Sequence, residues 1–295
     1  MAVTVLLNAA SGSGSAADAA RTIERLFGEA GREAQVELVD SGDRLRSLAR
    51  DAARARPEAV VAGGGDGTIS TVAAELAGTD IPLGVLPLGT LNHFAKDLGI
   101  PLDLEAAVGV VLAGRTGKVD VGEVSGHVFL NNSSIGVYPR LLRLRERYRE
   151  RGRSKWIAAF WALLAVLRRH SFMAVRIVAD GETIVRRTPF VFVGNNEYRM
   201  EGLTAGTRDS LTDGRLAVYI MNASGRRSLL WLVWSVLIGR ARQIQELEML
   251  SVLEAQVETR RTRLQVALDG EVLEERDPLS YRVRPAALTV FIPPA

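Results

Sequence analysis

The chain has 295 residues, 47% of them hydrophobic and 6% aromatic, which exceeds one typical domain and is ordinary for a packed soluble protein, so two domains are expected. The absence of cysteine excludes disulfides, thiolate metal sites and a cysteine nucleophile, and it suits the cytosol. A formal net charge of +3 is too small to imply nucleic acid by itself.

Met1 runs straight into the strand-like Val3 to Leu7, too short and too uncharged at its start for an export signal. A small-residue turn, Asn8-Ala9-Ala10-Ser11-Gly12, follows it. Apolar spacing then predicts a helix over Ala16 to Ala30, a strand over Ala34 to Val39, and a helix over Asp43 to Arg56 with Leu45, Leu48 and Ala52 on one side. A strand over Ala59 to Ala62, a helix over Ile69 to Leu76 and a strand over Leu83 to Leu86 continue the alternation. This pattern predicts a doubly wound α/β half, with ligands beyond the carboxyl ends of its parallel strands. Three turns fall there: Asn8 to Gly12, Gly63 to Thr68 and Pro87 to Asn92.

After about Asp120 the pattern changes to short strands at Val128–Asn131, Ala174–Ala179, Thr183–Arg187, Pro189–Val193, Leu216–Ile220, Leu264–Leu268 and Leu288–Ile292. Asp180-Gly181 and Asp213-Gly214 carry hairpin-type turn signals. Helices are expected near Ser154–Arg169 and Arg226–Arg242. The longest apolar runs, Trp156–Leu167 and Leu229–Ile238, fall short of the roughly 18–20 residues of a membrane span. The expected division is therefore residues 1–122, α/β, and residues 123–295, mainly antiparallel β with helical excursions.

The most informative segment is Gly63-Gly64-Gly65-Asp66-Gly67-Thr68, with four glycines directly after an apolar strand. Such glycines let backbone N–H groups face an anion without Cβ obstruction. Asp66 would repel a bare phosphate, so a divalent cation between the two resolves the conflict. No Lys-Ser/Thr follows as in a Walker A loop, and the third glycine of the dinucleotide fingerprint is missing. The segment resembles the nucleotide-binding signature shared by diacylglycerol and sphingosine lipid kinases, NAD kinases and phosphofructokinases.

A second segment, Leu86-Pro87-Leu88-Gly89-Thr90-Leu91-Asn92-His93-Phe94-Ala95-Lys96, resembles the proline-glycine-threonine-x-asparagine motif of the lipid kinases, which NAD kinases do not carry in this form. Gly89 offers a backbone amide, Thr90 a hydroxyl, and Asn92 can fix the loop; Lys96 is either a cation for the γ-phosphate or a solvated helix lysine. His93 reads as structural. The first turn is similar to the family's asparagine-proline-x-serine-glycine loop, with Ala9 in place of proline and with Asn8, Ser11 and Gly12 as donors.

Downstream, Asp269-Gly270-Glu271 follows the strand Leu264–Leu268, where the lipid kinases place their acidic pair. By itself the dipeptide reads as a hairpin turn, and spacing does not decide which carboxylate is the base; the resemblance favours Glu271, with Asp269 nearby. Ser210-Leu211-Thr212-Asp213-Gly214-Arg215-Leu216 resembles the family's loop for a structural Mg²⁺, which implies ligation by Asp213 and the carbonyls of Ser210 and Arg215; a plain turn is the alternative. Asn131 to Gly136 resembles the family's start of the second domain.

Between Arg140 and Lys155 stand eight basic and two acidic residues, followed by Trp156, Phe160 and Trp161, with Trp231 and Trp234 on the later helix. Cations beside interfacial aromatics suit docking on anionic lipid; a solvated arginine face over core helices is the alternative. No aromatic platform for nucleic acid accompanies them.

Taken together, the resemblance implies a cytoplasmic, peripherally membrane-associated lipid kinase of the diacylglycerol/sphingosine type, with ATP and Mg²⁺ in the cleft between the domains, held by the three turns of residues 1–122, and with residues 123–295 as the lipid-substrate domain. Asp66, Asp269 and Glu271 would carry the chemistry. Gly64, Gly65, Gly67 and Thr68 join the other turn residues around the nucleotide. The rivals are a kinase of a soluble alcohol such as NAD and a silent lipid- or nucleotide-binding regulator. Oligomeric state stays open, a homodimer included.

Overall fold

The structure is a computed structural model and describes residues 3–9, 16–137, 139, 172–201, 204–221 and 247–294. Ser11, Gly12, the basic stretch from Arg140 to Lys155, and the expected helices with their tryptophans lie outside the described residues.

The first part contains β1 (Val3–Asn8), α1 (Ala16–Glu29), β2 (Ala34–Val39), α2 (Gly42–Ala55), β3 (Val60–Gly64), α3 (Asp66–Leu76), β4 (Leu83–Pro87), α4 (His93–Asp97) and α5 (Leu104–Ala113). The strands are parallel in the order β2-β1-β3-β4. β3 and β4 are buried along their whole length, as near-continuous apolar runs between two helical layers should be. α1 packs on α5, and α2 on α3. The inward faces follow helical spacing, Ala20, Ile23 and Phe27 on α1 and Leu45, Ala49 and Ala52 on α2.

Two differences from the sequence reading matter. α3 begins at Asp66, not Ile69, so Asp66, Gly67 and Thr68 form the helix's own first turn. α5 has no counterpart in that reading, because Leu104 to Ala113 is apolar nearly all round and lacks an amphipathic period. It is set instead by its ends: Asp103 accepts a hydrogen bond from Ala106 N at 2.9 Å, and Gly114 ends the helix in the left-handed region.

The remainder contains β5 (Thr116–Val124), β6 (His127–Phe129), β7 (Asn132–Gly136), β8 (Met173–Ala179), β9 (Glu182–Thr188), β10 (Phe190–Asn195), β11 (Tyr198–Glu201), β12 (Thr204–Arg208), β13 (Leu216–Met221), β14 (Leu247–Val252), β15 (Glu254–Glu258), β16 (Arg263–Leu268), β17 (Glu271–Arg276) and β18 (Leu279–Phe291). One antiparallel sheet runs β14-β13-β10-β7-β16-β17. Its inner face, with Ile135, Val193, Val218 and Val266, packs on Val175, Ile177 and Val257 of β8 and β15, making a β-sandwich core.

β18 extends well beyond the expected Leu288–Ile292. Its first half pairs with β15 and β5; after an irregularity between Arg284 and Leu288, Val290 pairs in parallel with Leu83 of β4. The parallel strands and half of the sandwich thereby become one continuous sheet. Asp180-Gly181 closes the β8–β9 hairpin as expected. Asp213-Gly214 does not close one: β13 pairs with β10 and β14, and this dipeptide lies in the loop before it.

Candidate active site

Asn8, the Gly64–Thr68 turn and the Pro87–Asn92 turn meet at the carboxyl ends of β1, β3 and β4. Asn8 Nδ2 donates to Thr68 Oγ1 at 3.1 Å. The turns touch backbone to backbone: a Cβ on Gly89 would collide with the Cα of Gly65. Asn92, buried and left-handed at φ 51°, accepts from Gly89 N at 3.0 Å and donates to Pro87 O at 3.2 Å and Gly89 O at 2.9 Å. Asn92 thus fixes the loop, as expected, whereas the Gly89 N–H is aimed at Asn92 rather than toward a ligand. Asp66 Oδ1 accepts from Phe94 N at 3.2 Å, tying the first turn of α3 to that of α4. Thr90 and Lys96 are exposed on the same segment.

The acidic pair sits on the two-residue turn joining β16 to β17, where Asp269 and Gly270 take φ of 46° and 95° and Leu268 faces Glu271. Both central residues of such a hairpin turn need positive φ, which is what an Asp-Gly dipeptide supplies. The backbone of Asp269 is partly exposed, but its carboxylate is enclosed. Oδ1 accepts from Asn131 N at 2.8 Å and Asn132 N at 2.9 Å, and Oδ2 from Ser70 Oγ at 2.7 Å and Leu130 N at 2.8 Å. Burial pushes this carboxyl above its ordinary range, against the pull of the Ser70 hydroxyl and the three amides. Of the four donors around this carboxyl, three are backbone amides that can only donate, and the Ser70 hydroxyl is the one group able to turn and accept.

Glu271 is exposed and lies across from the glycine turn; a Cβ placed on Gly67 would be 3.6 Å from its Oε1. A cleft of about 410 Å³ opens beside it, lined among others by Arg46, Arg50, Ser70, Thr71 and His127. Arg50 is held there by Glu75 at 3.1 and 3.2 Å, and His127 by Glu275 at 2.9 Å. Residues from positions 8 to 271 therefore converge on one end of the parallel strands.

The Asp213 loop is separate from that cluster. Asp213 is exposed, the carbonyl of Arg215 accepts from Asn196 N at 3.0 Å, and Ser210 Oγ accepts from Thr212 N at 3.1 Å. What anchors the loop is a residue the sequence did not flag: buried Asp120 accepts from Gly214 N at 2.7 Å and Ala286 N at 2.8 Å. Among the described residues no cluster of three or more His, Cys, Asp or Glu side chains could hold a metal ion. One carboxylate and two carbonyls fit only a Mg²⁺ that keeps most of its waters.

Two further residues escaped the sequence reading. Asp97 at the end of α4 and Arg208 at the end of β12 form a buried ion pair at 2.8 Å, and Arg208 lies over the Tyr198 ring at 5.3 Å. A charged pair separated by 111 positions leaves no local pattern. The resemblance of Asn131 to Gly136 was the nearest signal, since Asn131 Oδ1 accepts from Arg208 at 3.0 Å.

A doubly wound half with a glycine turn at its strand ends is thus joined through one sheet to a β-sandwich. Both parts match known families: the diacylglycerol kinase catalytic domain over residues 2–124, and the YegS C-terminal NAD kinase beta sandwich-like domain over residues 135–292. A diacylglycerol kinase of Mycobacterium tuberculosis (strain CDC 1551 / Oshkosh) is 31% identical, over 99% of this chain and 95% of its own length. A Pseudomonas aeruginosa PAO1 protein named "Probable lipid kinase YegS-like" is 30% identical, covering 90% and 86%. The crystal structure of a diacylglycerol kinase from Bacillus anthracis str. Sterne shares the fold, with a TM-score of 0.72 at 19% identity over 99% of this chain and 97% of that one. The chain belongs to the diacylglycerol kinase family and is a lipid kinase, a phosphotransferase with an alcohol acceptor. Among the described residues no helix is long and apolar enough to cross a membrane.

Proposed function

We propose that this chain transfers the γ-phosphate of ATP to the hydroxyl of a lipid, diacylglycerol or a related lipid alcohol, with Glu271 as the base. The observation that carries the reading is position: Glu271 is exposed, its Oε1 lies across from Gly67 of the glycine turn, and an open cleft lies at its side.

ATP lies over Asn8, Ser11, Gly12 and the Gly64–Thr68 turn, with the amino end of α3 favouring its phosphates. Gly89 lets the second turn approach the first, Asn92 holds it, and Thr90 and Lys96 present a hydroxyl and a cation. Asp66 would hold a Mg²⁺ ion, which would supply charge neutralisation on the phosphate oxygens. The acceptor enters the cleft beside Glu271. Glu271 takes the proton of the lipid hydroxyl, whose oxygen attacks the γ-phosphorus in line. The bond from that phosphorus to the β-bridging oxygen breaks, ADP leaves with the electron pair, and the proton passes from Glu271 to solvent. Base catalysis accounts for about 10²–10⁴ in rate, and positioning for most of the remainder.

The division into a nucleotide unit, 1–122, and a lipid unit, 123–295, belongs to this proposal and is supported by the two apolar cores, which β18 bridges. A hydrated structural Mg²⁺ at Asp213 with the carbonyls of Ser210 and Arg215 is part of it, and no chemical step uses that ion. So is cytoplasmic, peripheral docking through the arginines between Arg140 and Lys155, worth roughly 1 kcal/mol per basic residue close to an anionic surface.

The test is a panel of hydroxyl lipids in mixed micelles with Mg²⁺ and γ-labelled ATP. Wild type should label a lipid, and Glu271→Gln should lower kcat by about 10²–10⁴-fold. Labelling of NAD or another soluble alcohol alone, or of nothing, would sink the reading.

A further inference from the structure

Among the described residues, Asp97 and Arg208 are the one ion pair with both side chains buried, at 3% and 0% exposure. Burying such a pair brings little net stability, because desolvation offsets the attraction and an apolar pair of equal volume does as well. Its geometry is the informative part. Arg208 donates from Nε to Asp97 Oδ2 at 2.8 Å, from one terminal nitrogen to Leu130 O at 2.7 Å and Asn195 O at 3.1 Å, and from the other to Asn131 Oδ1 at 3.0 Å. Its backbone N–H also donates to Asp97 Oδ1, at 3.2 Å.

The segment Leu130–Asn132 is thereby gripped from two sides. Arg208 holds its carbonyl and amide oxygens, and Asp269 holds its three N–H groups. Asp269 N donates back to Asn132 O at 2.9 Å, and Asp269 Oδ2 reaches Ser70 on α3. The result is a closed circuit: α4, Asp97, Arg208, Leu130–Asn132, Asp269, Ser70 and α3, with the Asp66–Phe94 bond joining α3 to α4. Both helices start at the nucleotide turns, and Glu271 stands two residues beyond Asp269.

We propose that Arg208 is a positioning residue which, through Leu130, Asn131 and Asp269, sets the place of Glu271 relative to the two nucleotide turns. This rests on the reading of Glu271 as the base. Arg208 does not line the cleft beside Glu271; the donors of its planar fork reach Asp97, Leu130, Asn195 and Asn131 in fixed directions, which three donors on the single nitrogen of a lysine do not reproduce.

Arg208→Lys keeps the charge against Asp97 and removes the fork. Hydrogen exchange should then show the amides of residues 130–132 and 269 losing protection by about tenfold or more, with those of β1 and β3 unchanged. In the same variant kcat for lipid phosphorylation should fall about 10²-fold, with KM for ATP within about twofold. A role confined to stability would instead lower the melting temperature and leave kcat per folded molecule unmoved. Unchanged protection at residues 130–132, or unchanged kcat, overturns the proposal. Should Arg208→Lys not fold, Asp97→Asn, which keeps size and an acceptor, is read by the same two measurements. Absence of transfer by wild type overturns the kinase reading; the exchange measurement, which needs no activity, still decides whether Arg208 holds the Asp269 turn.

Discussion

Asp269→Asn tests whether the acidic pair divides into a carboxylate that holds structure and the proposed base Glu271, and its cost follows from the four bonds made by the native side chain. If the amide nitrogen took the Oδ1 position it would face the N–H groups of Asn131 and Asn132, so it turns toward Ser70 and Leu130 instead. The Ser70 hydroxyl rotates to accept from it, which leaves the Leu130 N–H as the single orphaned donor, at about 1–3 kcal/mol. Asp269→Ala orphans all three amides and puts a Cβ-bearing residue without a side-chain acceptor at positive φ, for a loss of about 4 kcal/mol or more, a large share of a typical 5–15 kcal/mol. Urea unfolding reads both as shifts in midpoint at constant slope. Lipid phosphorylation by Asp269→Asn should stay within about tenfold of wild type, far above Glu271→Gln. The reasoning is refuted if Asp269→Asn is as stable as wild type yet as inactive as Glu271→Gln, or if Asp269→Ala folds with a loss below about 1 kcal/mol.

Three other expectations are independent of that one. Gly89→Ala drives a Cβ into the backbone of Gly65, which has no side chain to yield, so stability should fall by about 1–3 kcal/mol and KM for ATP should rise about tenfold; an unchanged KM would separate the second turn from nucleotide binding. Burial holds the Tyr281 hydroxyl, bonded to Ser133 at 3.1 Å, well above its ordinary value of 10.0. Its contribution to stability is therefore complete below pH 10.0 and lost as pH rises through the raised native value. Thermal melts above that pH should show wild type losing stability faster than Tyr281→Phe, and parallel curves would contradict it. Raising salt from about 0.1 to 1 M shortens the screening length from about 10 to 3 Å and should release the protein from anionic vesicles; retention at high salt would remove the role given to the arginines between Arg140 and Lys155.

The parallel half was legible because its apolar runs and helical faces repeat at short range: Val3–Leu7 reads as a strand, and Leu45 and Ala52 fall on the buried face of α2, with the expected Leu48 only partly buried beside Ala49. The turns at the strand ends followed from it. Tertiary pairing did not. That β18 would leave β15 and reach Leu83 depends on a pairing, Val290 with Leu83, more than 200 positions apart, and only Leu288–Ile292 has the look of an isolated strand. Asp97 with Arg208, and Asp120 with Gly214, were invisible for a related reason: a buried charge is defined by distant partners, and in sequence it looks like any solvated one. The Gly89 N–H shows the converse, a donor that local chemistry offers and that Asn92 then occupies.

The Asp269-Gly270 turn shows why the hairpin and catalytic readings of one dipeptide are not rivals. A two-residue turn with positive φ at both positions sends Asp269 inward, where it is clamped by Ser70 and three amides, and starts β17 at once with Glu271. The tightness of the turn is what transmits the clamp to the next side chain, since only Gly270 lies between them. A longer loop would keep both carboxylates and lose that register. Inserting a single glycine after Gly270 should therefore leave the Asp269 bonds and the fold in place while lowering kcat about as far as Glu271→Gln does. Full activity in that insertion would mean that Glu271 finds its position without the turn.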